Sequence, residues 1–116
     1  MKIEELCARA GGSYEELMQR IPSRAMICRF VRKYADDPTY QQLCAAVGEK
    51  DWETAFRAAH TLKGVAQNLG FQQLYLSSAA LTEAMRGPKP LTESGLREAV
   101  SADQAALLAA IRELEG

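Results

Sequence analysis

Apolar residues along this chain recur three and four positions apart, and no run shows the strict alternation that marks a half-buried strand. Met26, Ile27, Phe30 and Val31 form one such stripe, and Tyr40, Leu43, Cys44 and Val47 form the next. Trp52, Ala55, Ala59, Leu62, Ala66 and Leu69 form a third. Phe71, Leu74, Leu81 and Met85 make a fourth, and Leu96, Val100, Leu107, Ile111 and Leu114 follow at near-heptad spacing. Each stripe would give a helix one buried side.

The punctuation between stripes agrees with that reading. Ser23 can cap a helix running to about Tyr34, where Asp36-Asp37-Pro38 interrupts it. Asp37 as N-cap with Pro38 at the first helical position restarts the pattern until Gly48. Asp51 opens a helix expected to reach Leu69, and Gly70 stops it. The next should span Phe71 to Arg86, followed by a Gly87-Pro88-Lys89-Pro90 loop, with Thr92 or Ser94 starting the last. Ahead of these lies a short helix over residues 3–9 closed by Gly11-Gly12, then a capping box of Ser13 and Glu16 that opens another. The expected fold is all-α. Residues 23–116 make an antiparallel up-and-down four-helix bundle, and residues 1–22 add short N-terminal helices packed on it within one domain.

Composition narrows the function. A chain of 116 residues holds one core and has no room for a separate nucleotide-binding domain. With 14 basic against 15 acidic residues it is no polybasic nucleic-acid binder, so proteins are the expected partners. Cys7, Cys28 and Cys44 lack CxxC spacing and read as small core residues in a reducing compartment. The start Met1-Lys2-Ile3-Glu4-Glu5 is too acidic for a signal peptide, and no run approaches the ~20 apolar residues of a membrane span. A cytoplasmic protein, a monomer without a membrane segment, is expected.

The one histidine stands out by its placement. On a wheel of about 100° per residue, His60 shares a face with Glu53, Arg57, Gly64 and Gln67, away from the apolar sector, with Phe56 and Lys63 on the shoulder between. A lone helical histidine is ordinarily structural or solvated, but this one points outward. Gly64, one turn on, costs about 1 kcal/mol in helix propensity relative to alanine. A glycine kept for close packing belongs on the apolar side, whereas this one clears space beside the imidazole. Lys63 can bring a cation near whatever His60 carries, offsetting a phosphoryl charge, although a solvated lysine is the plain alternative. Gln67, two turns on, offers an amide that could hold the imidazole or meet phosphoryl oxygens, although most such glutamines are simply surface residues.

The segment Ala59-His60-Thr61-Leu62-Lys63-Gly64, continuing through Asn68-Leu69-Gly70, resembles the signature of histidine-containing phosphotransfer (HPt) domains. The resemblance covers roughly residues 23 to 115. It departs in the Asp36-Asp37-Pro38 interruption of an often longer helix and in the first twenty-two residues, which carry no family motif. It implies an up-and-down bundle with His60 as phospho-acceptor, Lys63 as charge partner and Gly64 as clearance. It further implies a place in a two-component phosphorelay, with response-regulator receiver domains or a hybrid histidine kinase as partners.

Other chemistries fit less well. No P-loop accompanies the histidine, so the chain is expected to be a phosphorelay intermediate and not an autonomous kinase. No nucleophile elbow marks a hydrolase, and one histidine without a Glu-x-x-His pair makes a thin metal or haem ligand set. No intrinsic cofactor is expected, and Mg²⁺ would come with the partner receiver domain. The alternative is a silent bundle of the same shape that only docks to proteins.

Overall fold

Polar side chains at helix starts reach back to satisfy the first free N–H groups. The Glu16 N–H donates to the Ser13 hydroxyl at 3.4 Å, the Met26 N–H to Ser23 at 3.2 Å, and the Thr54 N–H to the Asp51 carboxylate at 3.2 Å. The computed structural model describes residues 1–115. Its seven helices are α1 (Ile3–Arg9), α2 (Tyr14–Arg20), α3 (Arg24–Tyr34), α4 (Thr39–Gly48), α5 (Trp52–Asn68), α6 (Gln72–Ala84) and α7 (Ser94–Arg112). The chain is all-α, with no strand among the described residues.

The break between α3 and α4 is chemical. Pro38 cannot donate an N–H, and the Thr39 N–H is taken by the Asp37 side chain at 2.8 Å. α4 ends at Gly48, yet the residue that turns the chain is Lys50, at φ 58°. Left-handed backbone is unfavourable for a side chain with a Cβ. Lys50→Gly should therefore raise stability by roughly 0.5–1 kcal/mol in chemical denaturation.

α5 closes on Gly70, at φ 71°, whose N–H donates to the Gln67 carbonyl while the Phe71 N–H reaches the Ala66 carbonyl. This paired pattern stops a helix cleanly and sends the next one back antiparallel. α6 is shorter than the apolar pattern suggests, ending at Ala84 instead of Arg86. The Met85 and Arg86 N–H groups bond three residues back, tightening the last turn before Gly87 and Pro88. α7 starts at Ser94, one of the two expected residues. Glu93 is its N-cap without a side-chain bond, and Leu91 just before it packs against the core.

α5 packs between α4 and α6, and α6 packs on α7. Tyr34 of α3 bonds to buried Gln104 of α7, and the Tyr40 hydroxyl of α4 meets Ser101 of α7 at 2.9 Å. The α3–α4 rod therefore runs antiparallel to α7 and closes a four-rod bundle. Leu62, Phe71, Leu81, Met85 and Val100 fill its centre, with Tyr34 edge-on to Phe71 at 5.3 Å. Cys7 and Cys28 are buried as small core residues, whereas Cys44 is only half-buried. Burial pushes the Cys7 thiol up to about 11, which leaves it unreactive.

The α1–α2 arm sits over the α5–α6 turn. The Gln73 N–H donates to the Ala10 carbonyl at 3.0 Å, and a Cβ on Gly12 would stand 2.2 Å from the Gly70 carbonyl oxygen. Only glycine allows that approach. Gly12→Ala should destabilise the protein by about 1–3 kcal/mol, with the faster hydrogen exchange concentrated in α1 and α2. An unchanged denaturation midpoint would mean that the arm is not held at this point.

Candidate functional site

α5 buries the alanine side of its wheel and leaves the other side to solvent. Ala55, Ala58, Ala59, Leu62 and Ala66 are buried, with Trp52 and Leu69 half-buried at the two ends of the stripe. Small residues on this side let α4 and α6 approach closely, so α5 is gripped from both flanks. Glu53, Arg57, His60 and Gln67 are exposed, and Phe56, Lys63 and Gly64 are half-buried. His60 thus stands outward, midway along a well-anchored helix.

The space beside it is open. A Cβ built on Gly64 would meet no atom within 4 Å beyond its own helix backbone, so no neighbouring element requires a glycine here. On the other flank, the Phe56 ring lies 6.3 Å from the imidazole and is tilted by 46°. The Arg86 guanidinium, just past the end of α6, covers Phe56 at 5.3 Å and is itself gripped by Glu83 through two bonds of 2.9 and 2.8 Å. Those bonds from Arg86 are the main reason the Glu83 carboxyl lies below the usual carboxylate range. The site therefore spans two antiparallel segments, with Phe56, His60, Lys63 and Gly64 from α5, Glu83 from the last turn of α6 and Arg86 from the turn just after it.

Gln67 belongs to the same face but stands seven residues from His60, or ~10.5 Å along the helix axis. Its backbone carbonyl accepts from the Arg20 guanidinium at 3.2 Å as well as from Gly70. The α6 contribution escapes a wheel drawn for α5 alone. The i,i+3 pair of Glu83 and Arg86 near the end of α6 is visible as a motif, yet only the antiparallel register sets it opposite Phe56.

The carboxylates of this face are already engaged, Glu83 by Arg86 and Glu53 by Arg57 at 3.9 Å. Among the described residues, no group of three or more His, Cys, Asp or Glu side chains is placed to hold a metal ion. No helix among them is long and apolar enough to cross a membrane.

The Hpt domain family matches residues 29–116, from within α3 onward, and leaves α1 and α2 outside the match. No curated protein and no solved structure matches the chain. The match takes in the whole four-rod bundle apart from the first turns of α3 and includes the exposed His60 face, and on that ground this chain belongs to the Hpt domain family, whose members serve histidine phosphotransfer in two-component signalling.

Proposed function

We propose that His60 accepts a phosphoryl group from a phospho-aspartate of a receiver domain, or from a kinase, and passes it to an aspartate of another receiver. The observation that carries this reading is an exposed imidazole beside a helix position that is open for want of a side chain. An imidazole nitrogen attacks phosphorus in line, and the N–P bond forms as the acyl-phosphate P–O bond breaks. The carboxylate leaves with the electron pair, and the imidazole sheds its surplus proton to solvent. Because an acyl phosphate can be re-formed by the reverse attack, the step runs in both directions.

The chain's own residues position this step. Phe56, covered by Arg86, flanks the imidazole on one side. Lys63 offsets charge on the bound phosphoryl group, and the gap at Gly64 admits the edge of the partner. Gln67, two turns away, faces the docked partner. Phosphoryl transfer between such groups uses Mg²⁺ held by carboxylates. Glu83 is bonded to Arg86, and we assign those ligands to the receiver while this chain supplies the nucleophile. We place the protein in the cytoplasm, acting as a monomer and a phosphorelay intermediate that does not take phosphate from ATP by itself.

The test is to incubate the protein with a labelled, phosphorylated receiver domain and Mg²⁺. Label that moves to this chain and is acid-labile but base-stable, as a phosphoramidate bond should be, supports the reading. No label from several unrelated receivers, with the protein folded, would overturn it in favour of a bundle that only docks.

A further inference from the structure

Arg20 ends α2, outside the residues that match the Hpt family, yet its guanidinium donates to the backbone carbonyl of Gln67 in the C-terminal turn of α5, the helix that carries His60. We propose that Arg20 binds a carboxylate on the docked receiver domain, so that the α1–α2 arm takes part in choosing which receiver is accepted; this rests on the phosphotransfer reading above.

Three observations support it. First, Arg20 is exposed and its Nη1 donates to the Gln67 carbonyl, while among the described residues no carboxylate bridges it. The other arginines of this face are already engaged, Arg57 with Glu53 and Arg86 with Glu83. Glu16 lines the same shallow depression as Arg20 without bridging it. A guanidinium anchored by one N–H keeps its remaining donors in a fixed fork, which suits a carboxylate.

Second, the distance fits. A standard protein interface covers ~800 Å² on each partner, a disc of roughly 16 Å radius. Gln67 lies ~10.5 Å along α5 from His60, and the Arg20 guanidinium is 3.2 Å from its carbonyl, so Arg20 falls near the rim of a receiver centred on the imidazole. Third, the arm is held rigidly. Gly12 sits against the Gly70 carbonyl and Ala10 accepts from Gln73, so Arg20 is presented at a fixed place.

The experiment compares wild type, Arg20→Glu and Arg112→Glu, the last an equal charge change at an exposed position on α7. Each protein is labelled with phosphoramidate, a small donor that needs no docking surface, and then with a panel of phosphorylated receiver domains at low and high salt. Phosphoramidate should label all three equally. With at least one receiver that wild type accepts, Arg20→Glu should raise KM on the order of tenfold and weaken its salt dependence, while Arg112→Glu does neither. An unchanged KM with every accepted receiver would overturn the proposal. Loss of phosphoramidate labelling in Arg20→Glu would also overturn it, by showing that the arginine only holds α5 in place. If wild type takes label neither from phosphoramidate nor from any receiver, the phosphotransfer reading fails and this inference goes with it.

Discussion

Replacing His60 with glutamine should remove all acid-labile label that wild type gains from a phosphorylated receiver, while leaving the fold and the docking surface in place. His60 is exposed, its side chain fills no part of the core, and glutamine is at least as good a helix former. The stability change should stay within about 0.5 kcal/mol. The variant should still compete with wild type for the receiver, because the surrounding Phe56, Lys63 and Gly64 face is unaltered. Residual label on His60→Gln at the wild-type level would mean that another side chain is the acceptor, and the proposed mechanism would fall. Loss of label together with loss of folding would be uninformative for glutamine. His60→Asn and circular dichroism of both variants would then separate chemistry from stability.

The second large effect is expected at Gly64, where stability and transfer should move in opposite directions. A new Cβ there meets no packed neighbour, so Gly64→Ala should gain roughly 0.5–1 kcal/mol in denaturation by removing the helix cost of glycine. Gly64→Leu should also fold, but its side chain would occupy the gap beside the imidazole. A displacement of the partner by about 1 Å from an in-line geometry is enough to cost on the order of a hundredfold in transfer rate. Phosphoramidate labelling should suffer less, since a small donor can approach around the leucine. Transfer at the wild-type rate in Gly64→Leu would remove the clearance argument. An unfolded Gly64→Leu would instead make this a packing residue, in conflict with the open space around it.

These expectations were legible to different depths in the chain itself. The wheel of α5 anticipates the exposed His60 and Gln67 and the half-buried shoulder of Phe56 and Lys63, because a helix of fixed pitch converts spacing directly into direction, whereas Gly64, expected on the exposed face, is half-buried. Ser13, Ser23 and Asp51 are readable as caps, since capping needs only a short polar side chain and the first turn beyond it. The start of α7 at Ser94 is also readable, but the end of α6 is not. Tightened bonds at Met85 and Arg86 place that boundary before Gly87 and Pro88. Lys50 is similar, as a left-handed lysine is imposed by the antiparallel return of α5 and runs against local preference.

Periodicity and punctuation, which act within a few residues, were enough to establish the all-α class, the helix count of the bundle, and the outward histidine with its bare neighbour. Contacts between segments far apart in the chain followed from assembly alone. Arg86 reaches Phe56 only because α6 returns antiparallel along α5, and Arg20 reaches Gln67 only because Gly12 lets the arm settle onto the α5–α6 turn. The physical reason is one of range. Helical geometry relates a residue to those three and four positions away, while the pairing of distant faces is selected by the packing of the whole core.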